Sequence, residues 1–460
     1  MPARAGQAVL LATLAWGVLA FGGVYPWAYW PLAGAAIAAG ALAVAARRGG
    51  ASGGASLGLL PATFLLFAAA AMLQLVPLPI ATLRTATPET VRALEQLNLA
   101  VASGAIAEHA VSIVPAATFT GLCLFAACAV LVLSSAVLLS ARSARAFARS
   151  LTVLGVLVAV AGIVQRPLFN GRIFGFWTAL DGGAPYGPFV NKNHFAGWML
   201  MALPVTIGLL LGGIARAMRG VPPTWRDRLV WFSTPEANHL ILVAAAAIVM
   251  ALSLVLTLSR SGLTAFALSI AITSALVARR QWSGRRSHVA FAYLAFLAFV
   301  VVVWAGGDVI ASRFSEADWG DFNARRGAWS DASDIRARFP FAGTGLNTYG
   351  AATVLYQRHD LDHRYTEAHN DYLQLAAEGG WLLVIPAALC AVAFVVTVRR
   401  RFASEVSATA YWLRVGAVTG IAAVALQEAV DFSLQMPGNA ALFAALCGIA
   451  LHEAPSRRRA

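Results

Sequence analysis

The stretch AATFTGLCLFAACAVLVLSSAVLL, residues 116–139, carries no charged side chain from end to end. A helix needs about 20 apolar residues to cross the hydrocarbon core of a bilayer, and this run is long enough. The same ruler applied outward finds spans near 7–24, 28–46, 57–78, 147–164, 194–214, 238–257, 261–278, 288–305, 380–398, 409–430 and 438–454. With 116–139 these make about 12 transmembrane helices, and no internal repeat links them. The first two are short and joined by the aromatic turn Tyr25-Pro26-Trp27. The sequence therefore predicts an all-α polytopic membrane protein. Residues 1–305 hold helices 1–9 with short loops, 306–372 form one large outer loop with short helices, and 373–460 hold the last three spans.

Composition agrees. The chain is 59% hydrophobic and 12% charged, with a mean hydropathy of +0.70, and a soluble domain needs more charge on its surface. Gly and Ala are abundant, as suits close helix packing in lipid. Cys123, Cys128, Cys390 and Cys447 all lie in apolar stretches without metal-ligand spacing and read as small packing residues. The first apolar run is followed at once by a second and has no small-residue cleavage site, so it reads as a retained helix.

The net charge of +13 suggests nucleic acid until its distribution is followed. From an inside N-terminus, the inside segments hold Arg4, Arg47, Arg48, Arg142, Arg145, Arg149, Arg216, Arg219, Arg226, Arg228, Arg279, Arg280, Arg285, Arg286, Arg399, Arg400, Arg401, Arg457, Arg458 and Arg459. The short outside loops hold only Arg84, Arg92, Arg166, Arg172, Lys192 and Arg260. Positive charge marks the cytoplasmic side, so both termini are expected in the cytoplasm. The charge is then topology, and nucleic acid is not expected as a partner.

Basic residues outside need another reason. Arg260, in the turn Ser259-Arg260-Ser261-Gly262, either anchors a helix at the headgroup level or ligates phosphate with its planar fork of donors. Arg325 and Arg326 stand about 100° apart on a helix expected near 323–338. One of them faces a site and the other pairs with Asp331 or Asp334. His369 is the base candidate, since imidazole titrates near neutrality, with Glu367 or Asp371 to orient it. His194 stands beside Asn191 and Asn193, either as a helix cap or as a substrate ligand. His359 and His363 are expected to be solvated. Glu428 and Asp431, at the outer end of the eleventh span, are expected to reach an outer-loop arginine or line a cavity roof. No metal-ligand pattern and no nucleotide fingerprint is found, so neither metal nor cofactor is expected. An enzyme outside the cell has no ATP and must use a donor that carries its own energy, such as a glycan on a lipid diphosphate.

Four segments carry a family likeness. They are Tyr186-Gly187-Pro188-Phe189-Val190-Asn191-Lys192-Asn193-His194-Phe195-Ala196-Gly197; the Ser259–Gly262 turn; Arg325 with Trp329 and Pro340 leading to Gly343-Thr344-Gly345; and His369-Asn370-Asp371-Tyr372-Leu373-Gln374 with Glu378-Gly379. In order and spacing they resemble the O-antigen ligases and Wzy-type polysaccharide polymerases, over roughly 160–385. The resemblance implies a GT-C-like, metal-independent, inverting glycosyltransferase in the bacterial inner membrane, acting on the periplasmic face. Its donor would be an undecaprenyl-diphosphate-linked glycan, and its acceptor lipid A–core or a second lipid-linked glycan, or a protein as in the related protein O-oligosaccharyltransferases. By the same resemblance His369 is the general base, and Arg260 and Arg325, or Arg326 in its place, hold the diphosphate with Arg172 and Lys192. Asn191, Asn193, His194, Asn370, Asp371 and Tyr372 line the site. The layout favours ligase over polymerase. A transporter or flippase would carry ionisable groups in mid-membrane, and here the spans are nearly free of charge.

Overall fold

The computed structural model describes residues 1–49, 57–179, 183–218, 226, 233–281, 319–405 and 407–453. The expected ninth span, 288–305, and the start of the expected large loop lie outside the described residues. In chain order come α1 (Pro2–Leu19), α2 (Pro26–Arg48), α3 (Leu60–Leu73), β1 (Pro77–Pro79), α4 (Ile80–Ala86), α5 (Pro88–Leu97), α6 (Leu99–Ala102) and β2 (Glu108–Ala110). Then follow α7 (Pro115–Leu138), α8 (Ala141–Leu168), α9 (Lys192–Ala217), α10 (Pro235–Leu256), α11 (Arg260–Gln281), α12 (Trp319–Arg338), α13 (Tyr349–Tyr356), α14 (Asp371–Ser404), α15 (Ala408–Gln427) and α16 (Pro437–Leu451). The fold is all-α apart from β1, which pairs antiparallel with β2 over three residues.

Seven of the described helices are long and apolar enough to cross a membrane: α2, α7, α8, α9, α10, α14 and α15. Helices α3 and α16, of 14 and 15 residues, reach about 21–23 Å at 1.5 Å per residue, short of the ~30 Å core. For α3 the apolar composition extends past the helix end because the residues that follow pack as a turn. Leu75 and Val76 follow α3 in a turn that leads into β1.

Helix α9 is the axis of the bundle, buried without a break from His194 to Gly212. Small residues let α15 come close to it. A Cβ on Gly208 would stand 2.4 Å from the Trp412 carbonyl oxygen, and one on Gly416 would stand 2.3 Å from that of Pro204. Lipid tails are as apolar as leucine, so such backbone approach, rather than a hydrophobic drive, holds helices together here. Helices α9, α10 and α11, and likewise α14, α15 and α16, alternate in direction between two ends. One end of the bundle gathers the loops around residues 185–193, 257–262 and 428–436 (the loop end). The other gathers Arg145, Arg149, Arg216, Arg401 and Arg414 (the far end).

Over the loop end sits a second core of Leu94, Ile113, Ile335, Phe339, Tyr349 and Ala377, joining α5, α12, α13 and the start of α14. Its joint is the Gly343-Thr344-Gly345 turn. Thr344 N–H donates to the Ala377 carbonyl and Gly345 N–H to that of Glu378, at 3.1 and 2.9 Å. The buried Glu378 carboxylate accepts the N–H groups of Asn347 and Tyr349 at 2.7 and 3.0 Å. Two of the four family-like segments thus clamp the lobe to α14. Gly343 has φ +66°, and a Cβ there would lie 2.1 Å from the Glu378 carbonyl oxygen. Gly343→Ala combines a left-handed backbone with a backbone clash and is expected to cost on the order of 2–4 kcal/mol. The loss is read as a lower melting temperature with loss of protease protection in 319–370.

Candidate functional site

The loop 428–436 collects the candidate residues. Asn370 caps α14, accepting from Leu373 N–H at 3.0 Å, and its amide donates to the Ala429 carbonyl at 2.8 Å. Asp371 N–H donates to the Glu428 carbonyl at 3.0 Å, and the Asp371 carboxylate accepts from Gln435 at 2.6 Å. These bonds set His369 against the loop. Its backbone is left-handed, φ +51°, a conformation that costs energy in a non-glycine residue and concentrates at functional sites. The Trp329 indole donates to its carbonyl at 3.1 Å.

The His369 ring stands edge-on to Phe432, centroids 4.8 Å apart, and His194 meets Phe432 in the same way at 4.7 Å. Two imidazoles therefore share one aromatic ring. Nδ1 of His369 and both ring nitrogens of His194 are buried with no hydrogen-bond partner among the described residues. Buried polar atoms are normally paired, so three orphan nitrogens around one ring mark a place where a ligand hydroxyl would be satisfied. The orientation expected from Glu367 or Asp371 is replaced by aromatic packing. Glu367 takes the Thr366 hydroxyl and Asp371 takes Gln435, while Tyr365 flanks the His369 ring at 6.0 Å.

Arg325 is the arginine that reaches this cluster. Its guanidinium donates to the Val430 carbonyl at 2.8 Å, and its charge acts on His369 and on Asp431. Arg326 points to solvent. The pairing expected between an arginine and Asp331 does not occur. Asp331 is buried and holds the His359 ring at 2.7 Å together with the backbone N–H groups of Arg358 and His359. Five residues along a helix is about 140° around it, so Arg326 and Asp331 face apart. His359 is exposed, as expected, with its ring held by Asp331. His363, more exposed, stands 3.2 Å from Asp360.

Asp431 is fully buried and joins the separate segments. Its carboxylate accepts the Ser261 hydroxyl at 3.2 Å and Phe432 N–H at 3.0 Å, takes a hydrogen bond from the Asn193 side chain, and faces the Arg325 charge. Burial pushes its pKa up, and Arg325 and these three donors push back. Glu428, also buried, is driven well above the usual carboxylate range by burial and then by Asp371 beside it. The sequence expected Asp431 to reach an outer-loop arginine, and that arginine is Arg325; Phe432 was not among the candidates, because nothing local marks a residue whose partners, His194 and His369, are so far away in the chain.

Arg260 opens α11, and Ser259 caps that helix by accepting Gly262 N–H at 3.2 Å. Gly262 is required, since a Cβ would come 2.8 Å from that of Ala196 on α9. Ser261 thereby meets Asp431, and Arg260 stands next to it, half-buried, its guanidinium without a hydrogen bond or ion pair among the described residues. Lys192 lies apart from the imidazole pair. It lines a cleft of about 230 Å³ with Arg166, Gln165, Phe169, Tyr186 and Leu258. Asn191 is a cap, its side chain accepting Asn193 N–H at 2.8 Å. Tyr372 is exposed and donates to the Ala425 carbonyl at 2.7 Å. Arg172 sits on an exposed loop whose neighbours Phe174 and Trp177 pack against Phe21, and among the described residues no contact joins it to the cluster. Among the described residues no group of three or more His, Cys, Asp or Glu side chains is placed to hold a metal ion.

Burial, and then the Arg325 charge, lower the His369 pKa to about 4 from its usual 6.5. Its neutral form is the one that can accept a proton, so activity that needs it is expected to stay level through neutral pH. It should fall as pH drops toward about 4. Stability has the same sign. The unfolded chain takes up the proton first, so the contribution of neutral His369 is complete above 6.5 and lost as pH falls through the folded value. A pH–rate profile of kcat/KM checks the first expectation.

Residues 245–388 match the family model described as O-antigen ligase, Wzy_C. No curated protein matches the chain. The matched stretch contains Arg260, Ser261, Arg325 and His369, whereas Asn193, His194, Asp431 and Phe432 lie outside it.

Proposed function

We propose that this helical membrane protein, whose residues 245–388 match the O-antigen ligase family model, transfers a glycan from undecaprenyl diphosphate to an acceptor hydroxyl, lipid A–core being the acceptor. The observation that carries this reading is the group around Phe432, where His369 and His194 offer unpartnered nitrogens beside Arg325 and Asp431. An acceptor hydroxyl fills the orphaned position. An imidazole nitrogen of His369 takes its proton as the oxygen attacks the anomeric carbon. The bond from that carbon to the diphosphate breaks on the opposite face, and the configuration inverts. Arg325 and Arg260 neutralise the charge that grows on the departing diphosphate. Lys192 and Arg166, in the cleft between α8, α9 and α10, suit the more distant phosphate with the start of the lipid chain. No step requires a metal ion.

The loop end then faces the periplasm of a bacterial inner membrane, with both termini in the cytoplasm. The gathering of arginines at the far end supports that orientation. The test uses purified protein in nanodiscs with an undecaprenyl-diphosphate oligosaccharide and chelator, products being followed by mass spectrometry. Product that appears only with lipid A–core supports the ligase. A ladder of longer lipid-linked glycans in its absence makes the protein a polymerase, and no glycan transfer at all overturns the reading.

A further inference from the structure

At the far end of the bundle, Arg145 and Arg149 of α8, Arg216 of α9 and His239 of α10 line one small pocket with Gly213 and Thr409. Topology explains why basic residues lie at one end. It does not require four of them, from three helices, to converge. Arg145 and Arg149 are one turn apart and share a helix face. Gly213 brings α10 in, since a Cβ there would lie 2.4 Å from Leu240.

Among the described residues no carboxylate compensates the cluster. No ion pair among the described residues involves any of the four, and Arg145 Nε is buried without a hydrogen-bond partner. Arg414, at the same end, is treated differently. It is 1% exposed, its guanidinium meets Glu405 at 2.8 Å, and it donates to the carbonyls of Ala450 and His452 at 2.9 and 2.8 Å. Arg401 likewise pairs with Glu453. Like charges held together without a carboxylate repel, and a buried donor without an acceptor costs its desolvation. A phosphate oxygen among the guanidinium forks relieves both.

We propose that this pocket binds a phosphate-bearing anion at the membrane face opposite the imidazole pair. An anionic phospholipid headgroup and free inorganic phosphate share that chemistry, and the test separates them. Full-length protein is placed in nanodiscs of phosphatidylcholine with and without phosphatidylglycerol, and separately titrated with inorganic phosphate. Retained lipid is read by native mass spectrometry and unfolding by thermal melt.

Phosphatidylglycerol is expected to be retained and to raise the melting temperature of the wild type. Arg145→Gln with Arg216→Gln should lower retention more than tenfold, at about fivefold per arginine. Arg399→Gln with Arg400→Gln removes equal charge from exposed positions at the same end and should leave retention intact. A shift given by inorganic phosphate alone, and lost in the pocket variant, assigns the site to the free anion. Equal losses in the two double variants, or no shift with either probe, overturn the proposal. Should the pocket variant fail to fold, Arg149→Gln, whose side chain is exposed, gives the same comparison at about fivefold.

Discussion

Glycan transfer by a His369→Gln variant is expected to fall by roughly 10²–10⁴-fold, the usual worth of a positioned general base, while the melting temperature stays close to that of the wild type. Glutamine keeps much of the ring's volume and polarity but cannot take a proton. The surroundings of His369 do not depend on its basicity, since Trp329 holds its carbonyl and Phe432 and Tyr365 pack its ring edges. The loss should lie in kcat, because the base acts as the acceptor oxygen attacks, and donor binding should change little. The low-pH edge of the wild-type profile should vanish with the residue that produces it. Full transfer in His369→Gln would remove the proposed mechanism, and a collapse of the fold with it would make His369 structural.

The second large effect is expected at Asp431. Asn in its place keeps the shape and one acceptor oxygen but removes the charge that faces Arg325. It also leaves the donors from Ser261, Asn193 and Phe432 competing for a weaker acceptor. The Arg325 charge acts on the buried carboxylate without forming an ion pair with it, and with that charge left uncompensated a fall in kcat of about 10²-fold is expected. Asp431 acts through Arg325, and two readouts separate that role from mere structure. With its counter-charge gone, Arg325 weighs more heavily on His369, and the low-pH edge of activity should move further down. In a double-mutant cycle with Arg325→Gln the two losses should overlap rather than add. Additive losses with an unmoved edge would show that Asp431 only holds the fold.

How much of this was legible in the sequence follows the range of the interactions. Apolar runs without charge identify helices such as α7, α9 and α15, because exclusion from water is a property of each stretch by itself. The motifs around Arg325 and His369 stand out because basic and imidazole side chains are scarce at that end of the helices. The choice between Arg325 and Arg326 needed the loop after α15, which reaches one of them through the Val430 carbonyl. The true partner of Asp331 needed the fold of 349–365.

By itself, the sequence determined a helical membrane protein with its chemistry-bearing residues gathered in a few loops. Hydropathy, length and charge are read along the chain and need no third dimension. Only the tertiary structure decided that Asn193, Ser261, Arg325, His369 and Asp431 come together in one cluster, that the regular helix of α3 and α16 runs for only 14 and 15 residues, and that Gly343 and Glu378 clamp the lobe above it. Each of those rests on contacts between residues far apart in sequence, whose energies exist only once the helices have packed.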